Sequence, residues 1–209
     1  MKPLLVLAAF PMVLMGWASC SHSGTGHAAL PDPRAVDKSV PEYKNPFHPS
    51  TYAHFVARKD YRKTYDVYKD DTLLNRQPKK SRKIFVCLDE QRGQYLVDGL
   101  VAMDFPLSSG VKAYPTKTGD YAVISKKEDH TSNLYGKMYD AEGKCINYNA
   151  ESTDPVPEGG RFDGSPMPYW QRLTNAGLGL HVGKVRRHPV SHGLSLIHIS
   201  EPTRLLSIS

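Results

Sequence analysis

The feature that most constrains this chain is a series of short runs, in its middle, in which apolar and polar residues alternate. Residues 83–89 and 93–98 alternate in this way, and residues 100–106 follow them after the pair Asp98-Gly99. Alternation with a period of two is typical of β-strands, and an Asp-Gly pair between two such runs favours a tight hairpin. The sequence therefore predicts a β-meander here.

Two further strands are predicted downstream. Residues 119–125 alternate again, and residues 176–182 are apolar enough to be buried on both faces of a sheet. Between them, residues 134–162 are polar and rich in glycine and proline, which favours a long surface excursion that covers the sheet and shapes a cleft. The predicted fold class is mostly β, with two packed mixed sheets and short helices.

The first residues carry the pattern of an export signal. Lys2 precedes an apolar run over residues 4–17. A transmembrane helix needs about 20 apolar residues, so this shorter run makes a membrane span the weaker interpretation. The sequence instead predicts a cleaved signal peptide at residues 1–19, and an exported protein.

The residue after this signal is a candidate lipidation site. The small residues Ala18 and Ser19 before Cys20 resemble a bacterial lipobox, in which the cysteine is acylated. The sequence therefore predicts a periplasmic protein held at the outer membrane by a lipid on Cys20; plain secretion is the alternative. Residues 20–50 are rich in glycine, serine, histidine and proline, which predicts a lipoprotein tether.

Residues 51–82 are predicted to form a short helical preface to the β region. Aromatic residues and leucines recur there near helical spacing, at Phe55, Tyr61, Tyr65, Tyr68, Leu73 and Leu74. This pattern indicates one or two short helices whose aromatic side chains pack against the following domain. The basic run over residues 77–83 is typical of a solvated linker in an exported chain, so no nucleic-acid partner is predicted.

Composition excludes several classes of protein and of site. With 40% hydrophobic and 23% charged residues and a net charge of +6, the chain is not collagen, a coiled coil or wholly disordered. Its histidines and cysteines show no HExxH or CxxC spacing, and no glycine-rich loop indicates a nucleotide, so neither a metal nor a cofactor is predicted. Cys87 and Cys145 leave a disulfide open, although a buried thiol is the simpler interpretation of Cys87.

Several motifs of the β region occur together in a known order. A strand-turn-strand pattern over residues 91–110 is followed by Tyr-Pro-Thr-Lys-Thr-Gly-Asp-Tyr at 114–121, Met-Pro-Tyr-Trp at 167–170, Gly-Leu-Gly-Leu-His-Val-Gly at 177–183 and Pro-Val-Ser-His-Gly at 189–193. In order and spacing these stretches resemble the L,D-transpeptidase catalytic domain, the YkuD family. The resemblance covers residues 83–193 and implies an incomplete catalytic domain with an L,D-transpeptidase-like β-sandwich of mixed sheets and short helices.

The resemblance also implies an activity. In this family a cysteine attacks the third residue of a peptidoglycan stem peptide, releases the terminal D-alanine, and passes the acyl group to an amine. The product is a 3→3 crosslink or an attached envelope protein. Peptidoglycan stem peptides are therefore the implied partner, no cofactor is implied, and the oligomeric state is left open.

The site residues follow from the same resemblance. His181 is implied to be the base, oriented through a backbone carbonyl near Val182. Ser191 is given a supporting role in holding His192, and the backbone N–H groups around His192 and Gly193 are implied to form an oxyanion hole. Two aromatic residues, Tyr169 and Trp170, are candidate substrate-binding residues beside the cleft.

The chain departs from the family directly after Gly193. The family continues with the nucleophilic cysteine, whereas this chain has Leu194, which has no lone pair with which to attack a carbonyl, so the chain as given is predicted to be inactive. Residues 194–209 also resemble a translated sequencing adapter, which predicts a non-native tail. The alternative is a natural paralogue without the cysteine, in functional terms a non-catalytic peptidoglycan-binding envelope lipoprotein.

Overall fold

The structure is a computed structural model that describes residues 31–78, 81–186, 189 and 195–197. Its helices are α1 (Tyr52–Val56) and α2 (Asp71–Asn75). Its strands are β1 (Tyr68–Lys69), β2 (Arg82–Cys87), β3 (Arg92–Val97), β4 (Leu100–Ser108), β5 (Ser125–Lys127), β6 (Thr131–Tyr139), β7 (Cys145–Glu151), β8 (Arg161–Pro166), β9 (Trp170–Arg172), β10 (Gly179–Val182) and β11 (Ser195–Ile197). The predicted mostly β fold class is therefore confirmed.

The predicted meander is present as β2, β3 and β4, which pair in antiparallel fashion. The turn between β3 and β4 places Asp98 at φ 51° and Gly99 at φ 85°. A two-residue hairpin turn with both central residues in the left-handed region matches the twist of the flanking strands, and Asp-Gly tolerates that conformation well. The local sequence thus fixes the register of this hairpin.

The larger sheet has the strand order β2-β3-β4-β11-β10-β9-β5, with β1 also paired to β4. β10 and β11 are parallel, and the other pairs are antiparallel, so this sheet is mixed as predicted. β11 lies within residues 194–209, the segment assigned to a non-native tail, and it occupies a central position between β10 and β4. The origin of that segment stays a prediction.

The smaller sheet contains β6, β7 and β8 in the order β7-β6-β8, and it is wholly antiparallel, so the prediction of a second mixed sheet is wrong. The expectation of a surface excursion over residues 134–162 is therefore wrong. Exposed side chains dominate β7, so its sequence lacks the apolar alternation by which a half-buried strand is identified.

The strand predicted at 119–125 is also wrong: the strand in this region is Ser125–Lys127, and residues 119–124 are irregular.

The prediction of one or two short helices in the preface is confirmed, since α1 and α2 both lie there. Thr51 caps α1 by accepting a hydrogen bond from the backbone N–H of His54, and Asp70 caps α2 by accepting one from Leu73. These caps satisfy N–H groups that a helix start leaves without partners. Each helix is only five residues long, so its stability depends on packing against the sheet.

The central strands β3 and β4 of the larger sheet are largely buried on both faces. One face carries the apolar core, in which Met103 and Phe105 of β4 pack with Tyr95, Val97, Ala102, Leu74 and Leu180. The preface packs on the other face through Phe55, Val56 and Tyr61. The aromatic stripe therefore serves as the predicted packing surface, except that Tyr65 is exposed.

A buried ion pair holds the preface to the sheet. Arg92 of β3 donates from Nε to Asp104 of β4 at 2.6 Å, and both side chains are almost fully buried. The hydroxyls of Tyr52 and Tyr61 each donate to the second carboxylate oxygen of Asp104 at 2.8 Å. The Arg92 guanidinium also lies 5.2 Å from the ring of Phe55 and 4.9 Å from that of Tyr61. These contacts satisfy the buried charges from both sides.

Residues 32–50 differ from the tether interpretation. The Lys38 ammonium donates to the backbone carbonyl of Val56 at 2.6 Å, the Tyr43 hydroxyl donates to Ala57 at 2.9 Å, and Phe47 is buried. These residues therefore pack along α1, because their few long side chains find carbonyl acceptors there. The signal peptide and Cys20 lie outside the described residues and stay predictions.

Cys87 and Cys145 are free cysteines in the structure. Within the described part of the chain, no helix has the length and apolar character to cross a membrane.

Candidate active site

His181 lies on β10, with β9 on one side and β11 on the other, and it is 6% exposed. Its Nδ1 is 3.0 Å from the backbone carbonyl oxygen of Val182. A carbonyl oxygen can only accept, so Nδ1 carries the ring proton and Nε2 keeps its lone pair. The contact with a carbonyl near Val182 is thus present in the structure, and it fixes the tautomer that a general base needs.

Burial lowers the pKa of His181 to about 4. The Val182 carbonyl acts in the opposite direction, and the nearby His130 lowers the pKa further. The fold removes this ring almost completely from water. The imidazole is consequently neutral at neutral pH, in the form that can accept a proton.

Trp170 forms the wall beside this imidazole. Its ring centroid lies 6.2 Å from that of His181 and 5.3 Å from that of His130, and the side chain is almost fully buried. The preceding residue, Tyr169, has φ 56°. The left-handed region is unusual for an aromatic residue, and such strain concentrates at functional sites. Trp170 thus lies beside His181, and the binding of substrate by Tyr169 and Trp170 stays a prediction.

Gly179 allows Trp170 to approach the His181 strand. A Cβ atom added at residue 179 would lie 2.5 Å from Cη2 of Trp170 and 2.7 Å from the backbone oxygen of Gln171. Real Cβ atoms do not approach other atoms so closely, so only glycine fits between the indole and β9. This requirement explains the glycine two residues before His181.

We expect Gly179→Ala to displace Trp170 and to lower the free energy of unfolding by about 1–3 kcal/mol, the usual cost of overpacking. Near-UV circular dichroism reports the indole environment, and urea unfolding reports stability. Ala176→Ser, a change at an exposed position of the turn that precedes β10, is the matched control and should alter neither. An unchanged Trp170 signal and unchanged stability in Gly179→Ala would contradict the packing argument.

The segment after His181 is attached to the sheet at Arg186. The Ser108 hydroxyl accepts from the Arg186 backbone N–H at 2.9 Å and donates to its carbonyl at 3.1 Å. The next candidate residues lie outside the described residues: Ser191, His192, Gly193 and Leu194. Their roles stay predictions.

Sequence reasoning missed two residues near the imidazole. His130 stacks against Trp170, but a single histidine next to a polar strand gives no sequence signal. Gln171 on β9 is fully buried, and neither atom of its amide has a hydrogen-bond partner within the described structure. Buried polar groups without partners are rare in proteins. The amide of Gln171 therefore still lacks a donor and an acceptor among the described residues.

The donor set here does not suit a metal ion. Among the residues that the structure describes, no group of three histidine, cysteine, aspartate or glutamate side chains is close enough to hold one. The chemistry that the described site offers is therefore that of a neutral, oriented imidazole beside a buried aromatic wall.

Residues 81–193 match the model of one protein family, YkuD, described as the L,D-transpeptidase catalytic domain. Among curated proteins, no sequence matches the chain.

Solved structures of L,D-transpeptidases are also similar to the chain. One from Mycobacterium smegmatis is 18% identical over 62% of this chain and 55% of that chain, with a TM-score of 0.45. A mutant of the Enterococcus faecium enzyme is 26% identical over 62% of this chain and 46% of that chain, with a TM-score of 0.43. One from Stackebrandtia nassauensis is 19% identical over 75% of this chain and 60% of that chain, with a TM-score of 0.44. The chain thus spans between 46% and 60% of the length of these structures.

Proposed function

Because residues 81–193 match its family model over more than half of the chain, the chain belongs to the YkuD family of L,D-transpeptidase catalytic domains, and we propose that its natural form is a peptidoglycan L,D-transpeptidase. The observation that carries the proposal is the buried imidazole of His181, whose Nδ1 is bound to a carbonyl and whose Nε2 has no hydrogen-bond partner among the described residues. Such a ring can activate a thiol and then protonate a leaving amine.

The proposed reaction needs a cysteine after Gly193, where this chain has Leu194. His181 Nε2 takes the thiol proton, and the thiolate sulfur attacks the carbonyl carbon of the third residue of a stem peptide. The C–N bond to the terminal D-alanine then breaks, and the imidazolium returns its proton to the leaving amine. An acceptor amine attacks the resulting thioester, gives its proton to His181, and releases the thiolate.

The acceptor determines the product. A side-chain amine of a second stem peptide gives a 3→3 crosslink, and an amine of an envelope protein attaches that protein to the wall. Backbone N–H groups around His192 and Gly193 are proposed to stabilise the oxyanion in both steps.

The chain as given is expected to be inactive, because Leu194 supplies no nucleophile. Purified protein incubated with a stem tetrapeptide should show neither D-alanine release nor 3→3 dimers by mass spectrometry. A stable acyl-enzyme of this chain would disprove the expectation. A chain that carries cysteine and the family continuation is the positive control for the assay.

Leu194 also supports a second candidate, a non-catalytic envelope lipoprotein that binds peptidoglycan. The two candidates differ in the residue after Gly193 in the natural gene. Independent sequencing of that locus separates them: a cysteine codon supports the enzyme and a non-native tail over residues 194–209, whereas a leucine codon supports the binding protein.

We further propose that Cys20 carries a lipid and holds the protein at the outer membrane. The expected result is that a fatty-acid probe labels the wild-type protein in cells, whereas Cys20→Ala is unlabelled and either soluble in the periplasm or unprocessed. Cys145→Ala, which changes a cysteine of the folded domain, is the control and should stay labelled. A wild-type protein that takes up no probe would exclude the anchor.

A further inference from the structure

A cavity of about 310 Å³ opens between the preface and the segment that follows His181. The preface contributes Arg62 and Lys63, and the other side contributes Arg186. Arg92 lies at its floor, and Tyr65 and Pro106 supply apolar wall. None of the described residues that line the cavity is acidic. The cavity is therefore positively charged on two opposing sides.

The arginine at the floor shapes the cavity and is not available to a ligand. Arg92 pairs with Asp104, and its terminal nitrogens donate to the backbone carbonyls of Thr64 at 3.1 Å and Asp66 at 3.0 Å. A buried guanidinium thus holds the segment that carries Arg62 and Lys63. That segment is positioned by the sheet itself.

The cations at the rim are accessible. Arg62 is 73% exposed, and its contact with Glu90 is long, at 3.7 Å, because that carboxylate already binds Arg34 at 2.7 Å. Lys63 and Arg186 are exposed, and within the described part of the chain no carboxylate pairs with either. The backbone of Arg186 is fixed by Ser108, so its guanidinium is presented from a defined position.

The strand register places this cavity beside His181. Ser108 and His181 both pair with the Cα position of residue 196, so they lie on the same face of the larger sheet, two strand spacings apart. Two spacings amount to about 10 Å, the length of about three residues of extended peptide. A carboxylate bound beside Arg186 and a carbonyl group beside the His181 imidazole could thus belong to the same short peptide.

We propose that this cavity is a subsite for a carboxylate of the peptide substrate, built jointly by the preface and by the segment after His181. Guanidinium groups match a carboxylate with two parallel hydrogen bonds, and a lysine on the opposite side adds a third donor. The identification of the ligand as a peptide rests on the proposed function; the binding of a carboxylate rests on the cavity alone.

The test measures binding to the full chain as given, which has no nucleophile to consume the ligand. The probes are a synthetic stem-type tetrapeptide with its carboxylates free, the same peptide with every carboxylate amidated, and inorganic phosphate. Isothermal titration calorimetry should show that the free carboxylate form binds about tenfold more tightly than the amide, the effect of one charge-assisted hydrogen bond. Phosphate should not displace the peptide at equal concentration.

Two double variants remove cations of the cavity: the first takes one cation from each side, and the second takes both cations of the preface side. Arg186→Gln with Lys63→Gln, and Arg62→Gln with Lys63→Gln, should each reduce the preference for the carboxylate form. Lys184→Gln removes an exposed cation of the same segment that does not line the cavity, and it should keep the preference. All of these side chains are exposed, and circular dichroism verifies that each variant folds.

Equal affinity for the two peptides, or binding of neither, would overturn the proposal, as would a preference that survives both double variants. Displacement by phosphate would show a general anion site and would overturn the peptide assignment. These outcomes are distinct from failure of the proposed function, which is measured as acylation by a chain that carries the cysteine. An active enzyme that shows no preference for the carboxylate form would refute the proposed subsite and leave the proposed function standing.

Discussion

His181→Ala should reduce acylation by at least about 100-fold in a chain that carries a cysteine at residue 194 followed by the continuation of a solved family member. General acid–base catalysis by one side chain contributes about 10²–10⁴ to a rate, and no other described histidine contacts the Val182 carbonyl. A carbapenem acylation assay followed by mass spectrometry measures the rate. In the parent graft, the acylation rate should fall as the pH is lowered and the imidazole becomes protonated. In His181→Ala, the acylation rate should no longer show this decrease at low pH.

His188→Ala in the same graft is the control, and its rate should stay near that of the parent. A His181→Ala rate within threefold of the parent would exclude His181 as the base.

The substitution Leu194→Cys without the graft should remain nearly inactive, because it restores the sulfur without the family sequence that follows it. Full activity of Leu194→Cys alone would instead show that residues 195–209 are a competent part of the fold.

The strands β2, β3 and β4 could be predicted from the sequence because each contains a short apolar run and the turn between β3 and β4 is encoded locally. The predicted runs start or end within one or two residues of the observed strands. The smaller sheet could not be predicted in this way, since exposed side chains dominate β7 and its sequence shows no apolar alternation. Strand pairing there depends on backbone hydrogen bonds, and the pattern of apolar and polar side chains does not reveal these bonds.

The features of the candidate site also differ in whether they depend on neighbouring residues in the sequence or on the tertiary structure. The family resemblance implied His181 and a carbonyl near Val182, and the contact between them is present in the structure; the role of the imidazole as base stays a proposal. The pKa of His181 was not predictable, because burial by Trp170 and by the neighbouring strands is a tertiary property. The charged cavity was missed for a related reason: Lys63 and Arg186 are brought together only by the sheet, and each alone looks like ordinary surface charge.

The ion pair of Arg92 and Asp104 was also invisible in the sequence, where a charged residue inside a strand indicates solvent exposure. In the structure both residues face the preface, and the carboxylate accepts from Arg92, Tyr52 and Tyr61. Burial, with the negative charge of Asp104 beside it, raises the pKa of Tyr61 to about 12, so that hydroxyl stays a donor at every physiological pH. The network thus joins a short helical segment to the sheet with polar contacts that the aromatic pattern alone did not predict.

Asp104→Ala should lower the free energy of unfolding by about 3–5 kcal/mol, a large part of the total stability of a domain of this size. The substitution leaves the Arg92 guanidinium buried without its carboxylate and removes the acceptor of two tyrosine hydroxyls. Urea unfolding followed by circular dichroism measures the loss. The preface should detach first, because the network holds it to β3 and β4.

Asp163→Ala is the matched control, since Asp163 pairs with Arg161 at 3.4 Å and both side chains are more than half exposed. Exposed pairs contribute about 1 kcal/mol or less, so this change should have little effect. If Asp104→Ala fails to fold, the double change Arg92→Met with Asp104→Leu separates charge from packing: it leaves no buried ion, so it should recover much of the lost stability. An Asp104→Ala loss no larger than that of Asp163→Ala, or a double variant as unstable as the single one, would show that the buried pair does not hold the preface in place.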